Sequence, residues 1–258
     1  MSAETDRRGW LKAAGASLAT LWLAACDKLN GNAGVQRTLA KAEGLSLRTQ
    51  RALQNRTALA REFGEADISP DFRANGSINP SDEDYRALAA GGFADWRLVV
   101  DGLVERPLSL SLDALRALPG RTQITRHDCV EGWSSIGKWT GARLGPLLDR
   151  AGLKPRARFI VLHCADSLEQ TLDGTGRYYE SIDLVDAYHP QTILAYDMNG
   201  APLKVAHGAP LRLRVERQLG YKHAKYLMRL EAVEDFAGIG RGKGGFWEDR
   251  GYEWYAGI

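Results

Sequence analysis

Short runs of apolar residues, separated by polar turns, cover most of the chain and predict more strands than helices. A helix is predicted at 112–118, with Ser111 as its N-cap, and another at 140–151, followed by Gly152. Apolar or β-branched runs typical of strands occur at 96–100, 122–126, 158–164, 192–197, 211–215 and 225–233. Because the strands do not alternate regularly with helices, the pattern predicts an α+β domain with mixed sheets.

The first third of the chain is more polar and predicts a tether that leads into the domain. Residues 27–70 are interpreted as a tether and N-terminal arm, with helix formers around 49–62. Residues 63–92 are rich in Gly, Pro, Asp and Asn and predict a loop. The globular domain is therefore expected to occupy residues 71–258. No Gly-rich phosphate fingerprint follows a predicted strand, which argues against a dinucleotide-binding domain.

The N-terminus has the pattern of an export signal. Arg7 and Arg8 precede an apolar run at 13–25, which is shorter than the roughly 20 residues that span a bilayer. Residues 1–26 are therefore interpreted as a signal peptide. This segment resembles a twin-arginine leader, and its end resembles a bacterial lipobox, in which Cys26 is lipidated. A plain signal peptide with an incidental cysteine is the alternative.

These resemblances imply a cellular location. The twin-arginine route exports folded proteins, often with a cofactor already inserted. By resemblance to known lipoproteins, Asp27 after a lipidated Cys26 implies retention at the inner membrane. We therefore expect a periplasmic protein tethered to that membrane.

Charge and composition exclude one class of partner. The formal net charge is +2, and apolar and charged residues make up 44% and 26% of the chain, as in ordinary soluble proteins. A charge so close to zero, without a basic stripe, argues against nucleic-acid binding.

The remaining cysteines, Cys129 and Cys164, allow several kinds of chemistry. In an oxidising compartment two cysteines can form a structural disulfide. Cys129 follows a predicted strand beside Arg126 and His127, and nearby positive charge is expected to favour the thiolate. A thiolate is a nucleophile or a ligand for soft metals. The residues alone therefore leave a catalytic cysteine, a metal ligand and a disulfide open.

A zinc site built from His127, Cys129, His163 and Cys164 is a further option. Residues 163 and 164 are neighbours on a predicted strand, so their side chains point to opposite faces. Both can therefore hardly bind one ion, which disfavours zinc.

Two later segments contain turns and cations suited to an anionic ligand. They read His207-Gly208-Ala209-Pro210-Leu211-Arg212 and Gly220-Tyr221-Lys222-His223-Ala224-Lys225. Glycine lets backbone approach a ligand, and an arginine supplies a forked donor for phosphate. Each segment alone is weak, because a charged side chain is usually just solvated.

Taken in this order, the segments resemble the molybdopterin-binding domain of the sulfite-oxidase superfamily, from about residue 72 to residue 258. They are most similar to bacterial exported members related to the molybdenum subunit of periplasmic methionine-sulfoxide reductase. The residues that carry the resemblance are the loop Phe72-Arg73-Ala74-Asn75-Gly76, the segment Cys129-Val130-Glu131-Gly132-Trp133, the segment Trp139-Thr140-Gly141-Ala142-Arg143-Leu144, the two turns above and the aromatic end at 246–255.

The resemblance implies a set of site residues. Cys129 is the expected molybdenum ligand, and Cys129, Glu131 and Trp139 are the expected catalytic residues. The aromatic end is expected either to rim the substrate funnel or to pack. The expected cofactor contacts, for one molybdopterin per metal, are Asn75, Cys129, Cys164, His207, Arg212, His223, Ala224 and Lys225.

The resemblance also implies oxygen-atom transfer with electrons exchanged through another protein. The chain has no haem-attachment motif and no iron–sulfur spacing, so a membrane haem or quinone-linked partner is expected. Sulfite oxidases of eukaryotes carry a further dimerisation domain at this end, so a monomer is expected.

The direction of the reaction is inferred from Glu131. Anion-specific oxidases of this family place arginines around the metal, and an acid there disfavours an anionic substrate. We therefore expect reduction of S- or N-oxides. The alternatives are a sulfite-type oxidase and, from another class, a cofactor-free binding lipoprotein.

Overall fold

The chain forms two compact units, Met1–Leu53 and Gln54–Ile258. The computed structural model describes residues 32–53, 55–172, 174 and 176–258. The predicted export signal and Cys26 lie outside the described residues. In the described part, no helix is both long and apolar enough to cross a membrane.

The described residues of the first unit form helix α1, Ala33–Leu53. The helix predicted around 49–62 is therefore wrong in its extent. Just after α1, the Asn55 side chain accepts a hydrogen bond of 3.0 Å from the Thr57 amide. Such a local side-chain contact competes with helical hydrogen bonds and favours a turn.

The larger unit contains two five-stranded sheets, and the first is mixed. Its strand order is β2-β1-β10-β5-β6. Strand β1 pairs with β10 in parallel, whereas the other neighbours are antiparallel. The strands are β1 (Leu98–Gly102), β2 (Leu108–Leu110), β5 (Phe159–Ser167), β6 (Arg177–Asp183) and β10 (Leu227–Val233).

The second sheet is antiparallel and has the order β3-β4-β7-β8, with β9 paired to β7. Strands β3 and β4 form a hairpin in which Asp128 pairs with Ser134, so Cys129 lies at its tip. The strands are β3 (Gly120–Asp128), β4 (Ser134–Arg143), β7 (Ile193–Met198), β8 (Ala201–Pro202) and β9 (Arg212–Arg214).

Short helices connect the strands, and three of the four named here begin at side-chain caps. The Asp82, Ser111 and Asp183 side chains accept backbone N–H groups at their helix starts. Ser111 therefore caps its helix as predicted. The helices are α2 (Glu83–Ala90), α3 (Leu112–Arg116), α4 (Leu144–Ala151) and α5 (Leu184–Ala187).

Two boundaries differ from the prediction. Residues 140–143, predicted as helix, continue β4, in which side chains alternate between the buried and exposed faces. The helix starts only at Leu144 and ends, as predicted, at Gly152, whose φ is 70°. The predicted loop at 63–92 contains α2, and strands β2, β4, β6 and β8 were not predicted.

One hydrophobic core joins both sheets. It includes Leu98 and Leu230 from the first sheet, Leu194 and Leu213 from the second, and Leu147 of α4. The mixed α+β architecture agrees with the predicted fold class. The largest set of predicted site residues lies where the tip of the β3–β4 hairpin, strand β5 and the loops around β9 meet the C-terminal segment.

Candidate active site

The tip of the β3–β4 hairpin presents Cys129 to a cavity. The Cys129 amide donates to the Trp133 carbonyl at 2.9 Å, and the Gly132 amide donates to the Cys129 carbonyl at 3.1 Å. Gly132 has a φ of 84°, which favours glycine at this turn. The cavity has a volume of about 140 Å³. Its lining includes Asn75, Gly76, Ser77, Cys129, Val130, Glu131, Asp166, Tyr178, Tyr221, His223, Lys225, Trp247 and Tyr252.

The electrostatic setting of the Cys129 thiol differs from the prediction. Burial raises its pKa, and the Glu131 charge raises it further, while Arg73 lowers it. Arg126 instead pairs with Asp128 and is 55% exposed. A coordinated metal cation deprotonates a thiol outright, so this environment fits a metal ligand better than a free nucleophile.

His127 does not supply the predicted positive charge either. It is 1% exposed, and burial, followed by repulsion from Arg214, lowers its pKa well below the ordinary value. Its Nδ1 lies 3.0 Å from the Arg214 guanidinium. The imidazole is therefore neutral and serves as a hydrogen-bonding group inside the sheet.

The two described cysteines are free thiols, so the disulfide alternative is not realised. Cys164 is 1% exposed on β5 and does not line the cavity. Burial raises its pKa well above the ordinary value. The described residues also contain no group of three or more His, Cys, Asp or Glu side chains that could hold a metal ion. Cys164, which was predicted to contact the cofactor, therefore lies behind the residues that line the cavity.

Arg212 is a buried cation with unused hydrogen-bonding capacity. Its guanidinium donates to the carbonyls of His207 at 3.1 Å and His223 at 3.3 Å. Burial, followed by repulsion from Arg214, lowers its pKa to about 9. Arg214 is balanced by Glu216 at 2.6 Å, but Arg212 has no carboxylate partner among the described residues. An anionic ligand would relieve this imbalance.

Lys225 is the second cation without an ion-pair partner among the described residues; unlike Arg212 it lines the cavity, as does Asp166, whose charge acts on it. Its ammonium donates to the carbonyls of Asn75 at 2.7 Å and Ala206 at 3.1 Å, and to that of Ser77. Burial, followed by repulsion from Arg212, lowers its pKa to about 7. Binding of a phosphate beside it would favour the charged form.

Trp139 does not reach the cavity. Its side chain is fully buried, against Phe72, and the guanidinium groups of Arg212 and Arg214 lie 5.0 and 4.4 Å from its ring centroid. The catalytic role of Trp139 stays a prediction; at this distance the ring can orient both guanidinium groups by cation–π contact.

The predicted turn at His207 and the backbone at Ala224 shape the site from behind. Neither residue lines the cavity. Gly208 has a φ of 103°, and a Cβ there would lie 2.9 Å from the Lys225 side chain. The Ala224 carbonyl accepts a hydrogen bond of 2.8 Å from Leu213. These positions therefore support Lys225 and the strand beside it rather than lining the cavity themselves.

Several buried polar atoms around the cavity have no hydrogen-bond partner among the described residues. They include His223 Nδ1, Asp166 Oδ1, Arg212 Nε and His127 Nε2. A buried polar atom left unpaired costs about 1–3 kcal/mol, so such a cluster marks the place of a polar ligand. Unbalanced cations, unpaired polar atoms and a neighbouring thiol together fit an anionic cofactor whose metal binds sulfur.

The cavity also contains residues that were not predicted as site residues. Asp166 is 3% exposed, and burial raises its pKa to about 6. It lies two residues after Cys164 on β5, so strand alternation could have placed it on the same face. Tyr178 and Tyr221 are further lining residues that were not predicted. Trp247 and Tyr252 also line the cavity, and they belong to the aromatic end that was expected to rim the substrate funnel or to pack.

The fold and this site define a molybdopterin-binding oxidoreductase. Residues 87–237, more than half of the chain, match the family model described as the oxidoreductase molybdopterin binding domain, and the protein belongs to that family. Family membership means a molybdenum cofactor and an enzyme, which confirms these predictions and disfavours the cofactor-free alternative.

The relatives include named sulfoxide reductases. The chain is 38% identical over 199 residues to the "Putative protein-methionine-sulfoxide reductase subunit YedZ1" of Azospira oryzae, covering 77% of this chain and 68% of that protein. It is 37% identical over 148 residues to the protein-methionine-sulfoxide reductase catalytic subunit MsrP of Xanthomonas campestris. That match covers 55% of this chain and 46% of the relative, so the chain spans about half of its length.

Among solved structures, the sulfane dehydrogenase SoxCD from Paracoccus pantotrophus is similar, with 25% sequence identity and a TM-score of 0.48. The similarity covers 55% of this chain and 39% of that chain.

Proposed function

We propose that the protein reduces S-oxides, methionine sulfoxide above all, with electrons from an external one-electron carrier. The observation that carries the proposal is the Glu131 carboxylate, which lines the same cavity as the Cys129 thiol. The Trp133 indole donates to this carboxylate at 2.8 Å and holds it in place. A negative charge beside the reacting centre repels sulfite but not a neutral sulfoxide. The names of the two relatives support the same chemistry.

The chain would hold the cofactor through its thiol and its unbalanced cations. Cys129 supplies the metal ligand, and Arg212 and Lys225 bind the anionic part of one molybdopterin. When bound, the molybdenum cofactor supplies two-electron oxygen-atom transfer. Conversion of a sulfoxide to a sulfide and water consumes two protons and two electrons. The carboxyl of Asp166, with its raised pKa, can hold a proton at the cavity wall.

We also propose that the protein is exported and tethered at the periplasmic face of the inner membrane as a monomer. The leader and Cys26 support this location, and a membrane haem or quinone-linked protein there would deliver electrons. Cell fractionation of wild type and Cys26→Ala tests the anchor. Membrane association should be lost in the variant, and its retention would refute lipidation at this position.

Steady-state assays test the reaction. Holoenzyme should oxidise reduced viologen with methionine sulfoxide or dimethyl sulfoxide, and it should reduce ferricyanide poorly with sulfite. Cys129→Ser should abolish sulfoxide turnover, whereas the matched control Cys164→Ser should retain it. Sulfite oxidation without sulfoxide reduction would overturn the proposal and establish the sulfite-type alternative.

A further inference from the structure

The C-terminal residues 244–258, named here the C-terminal strap, lie outside the family match and complete the wall of the cavity. The strap is fixed to the loop that follows β9. The Leu219 amide donates to Ala256 at 2.9 Å, and the Ala256 amide donates to the Gln218 side chain at 2.9 Å. Phe246 donates its amide to Tyr179 on β6 at 3.0 Å. This segment is therefore an integral part of the larger unit.

Two strap residues, Trp247 and Tyr252, face the cavity beside Tyr221. The Trp247 and Tyr252 rings stack at 5.3 Å and 28°, and Tyr221 meets Tyr252 edge-on at 5.3 Å and 86°. The Tyr221 hydroxyl donates to the Glu253 carbonyl of the strap at 2.7 Å. Tyr252 is 41% exposed, so this aromatic wall runs from the cavity toward solvent.

A buried ion cluster fixes the aromatic wall. The Lys222 ammonium, next to Tyr221, donates to Glu180 at 2.5 Å and to Glu248 at 2.6 Å. Glu248 itself is next to Trp247. The side chains of all three charged residues are at most 2% exposed. The cluster therefore connects both sides of the wall to β6.

The two carboxyl groups of the cluster pack directly against Gly245, where a side chain would not fit. A Cβ at Gly245 would lie 2.0 Å from Glu248 Oε2 and 2.6 Å from Glu180 Oε1. Because cores are close-packed, a carboxylate held this tightly keeps its neighbouring residue in one orientation.

We propose that Trp247, Tyr252 and Tyr221 bind the apolar and sulfur-bearing groups of the sulfoxide substrate and so determine specificity. Glu248 and Lys222 are positioning residues. This inference rests on the proposed function. Aromatic rings make favourable contacts with sulfur and with methyl groups, and their electron-rich faces disfavour anions. The wall and Glu131, which line the same cavity, therefore select the same class of neutral substrate.

Binding to oxidised holoenzyme without an electron donor tests the wall separately from turnover. Titration calorimetry with methionine sulfoxide and dimethyl sulfoxide should give a Kd raised about tenfold in Trp247→Ala and Tyr252→Ala. KM in the viologen assay should rise with Kd, whereas kcat should change much less. The matched control is Tyr188→Ala, whose ring is also 41% exposed but does not line the cavity.

If the alanine variants fail to fold, Trp247→Leu and Tyr252→Leu replace them. These variants remove the rings but keep an apolar side chain of substantial volume. Glu248→Gln should raise Kd less than ring removal, and Kd should vary in parallel with KM. Unchanged Kd in folded ring variants would overturn the inference. Wild-type binding without turnover would refute the proposed function alone, and wild-type protein that binds no sulfoxide would overturn both.

Discussion

Replacement of Lys222 by methionine removes the single cation that two buried carboxyl groups share. Lys222 lies 2.5 Å from Glu180 and 2.6 Å from Glu248, and the three side chains are at most 2% exposed. Methionine has a similar volume, so the substitution removes charge with little change in packing. Loss of one partner from a buried ion pair costs about 3–5 kcal/mol. For a domain of this size, that corresponds to a fall in Tm of roughly 6–20 °C.

The loss should depend on pH. Burial, followed by the Glu248 charge, raises the pKa of Glu180 well above its ordinary value. A carboxyl group whose folded pKa is raised contributes stability that is fully present below its unfolded pKa and is lost as pH rises. Without the Lys222 ammonium, the buried carboxyl groups of Glu180 and Glu248 must keep more of their protons in the folded state. The free energy of unfolding of Lys222→Met should therefore fall more steeply with rising pH than that of wild type.

Urea denaturation followed by circular dichroism at pH 5 and pH 8 measures both effects. Arg156→Met is the matched control, because Arg156 pairs with Glu234 at the surface with side chains 75% and 47% exposed. The control should change stability by less than about 0.5 kcal/mol. A Lys222→Met protein as stable as the control, with the pH dependence of wild type, would refute the reasoning.

Three further outcomes follow from the site. Gly220→Ala would place a methyl carbon 2.7 Å from Nε2 of His127, so it should lower the free energy of unfolding by about 1–3 kcal/mol in urea denaturation. The control Gly238→Ala places its methyl group in open space and should leave the free energy of unfolding unchanged. In cofactor-free folded protein, iodoacetamide should label Cys129 and spare buried Cys164 until denaturant is added, and equal labelling of both would contradict the structure. Burial raises the pKa of Asp166 to about 6, so the stability that this carboxyl group contributes should decline as pH rises from 4 to 6. The free energy of unfolding of wild type minus that of Asp166→Asn should therefore fall over this range, and a difference that does not change with pH would refute the assignment.

Most strands could be predicted because β-branched and apolar runs are local signals. The strand at 158–164 and the cap at Ser111 depend on neighbouring residues alone and were found. The helix predicted at 140–151 started too early. Residues 140–143 lead directly into a true helix, and only their pairing with β3 and β7 reveals that they belong to a strand.

The sequence motif could predict which segments form the candidate site, but it could not predict the charges and burial of the residues around the thiol. Cys129, which only the family resemblance of the surrounding segments indicated as the metal ligand, lies in the cavity wall, yet Arg126 and His127 occupy opposite faces of β3. One is therefore solvent-exposed and the other buried and neutral. The ion cluster of Lys222, Glu180 and Glu248 joins positions far apart in the chain, and such pairing depends on tertiary structure.

The central claim is that the Cys129 sulfur binds molybdenum. X-ray absorption at the molybdenum edge tests it directly in holoenzyme produced in a host that makes the cofactor. Cys129→Ser should lose one sulfur neighbour of the metal, while Cys164→Ser should match wild type. An unchanged sulfur shell in Cys129→Ser, or wild-type protein without molybdenum, would contradict the claim.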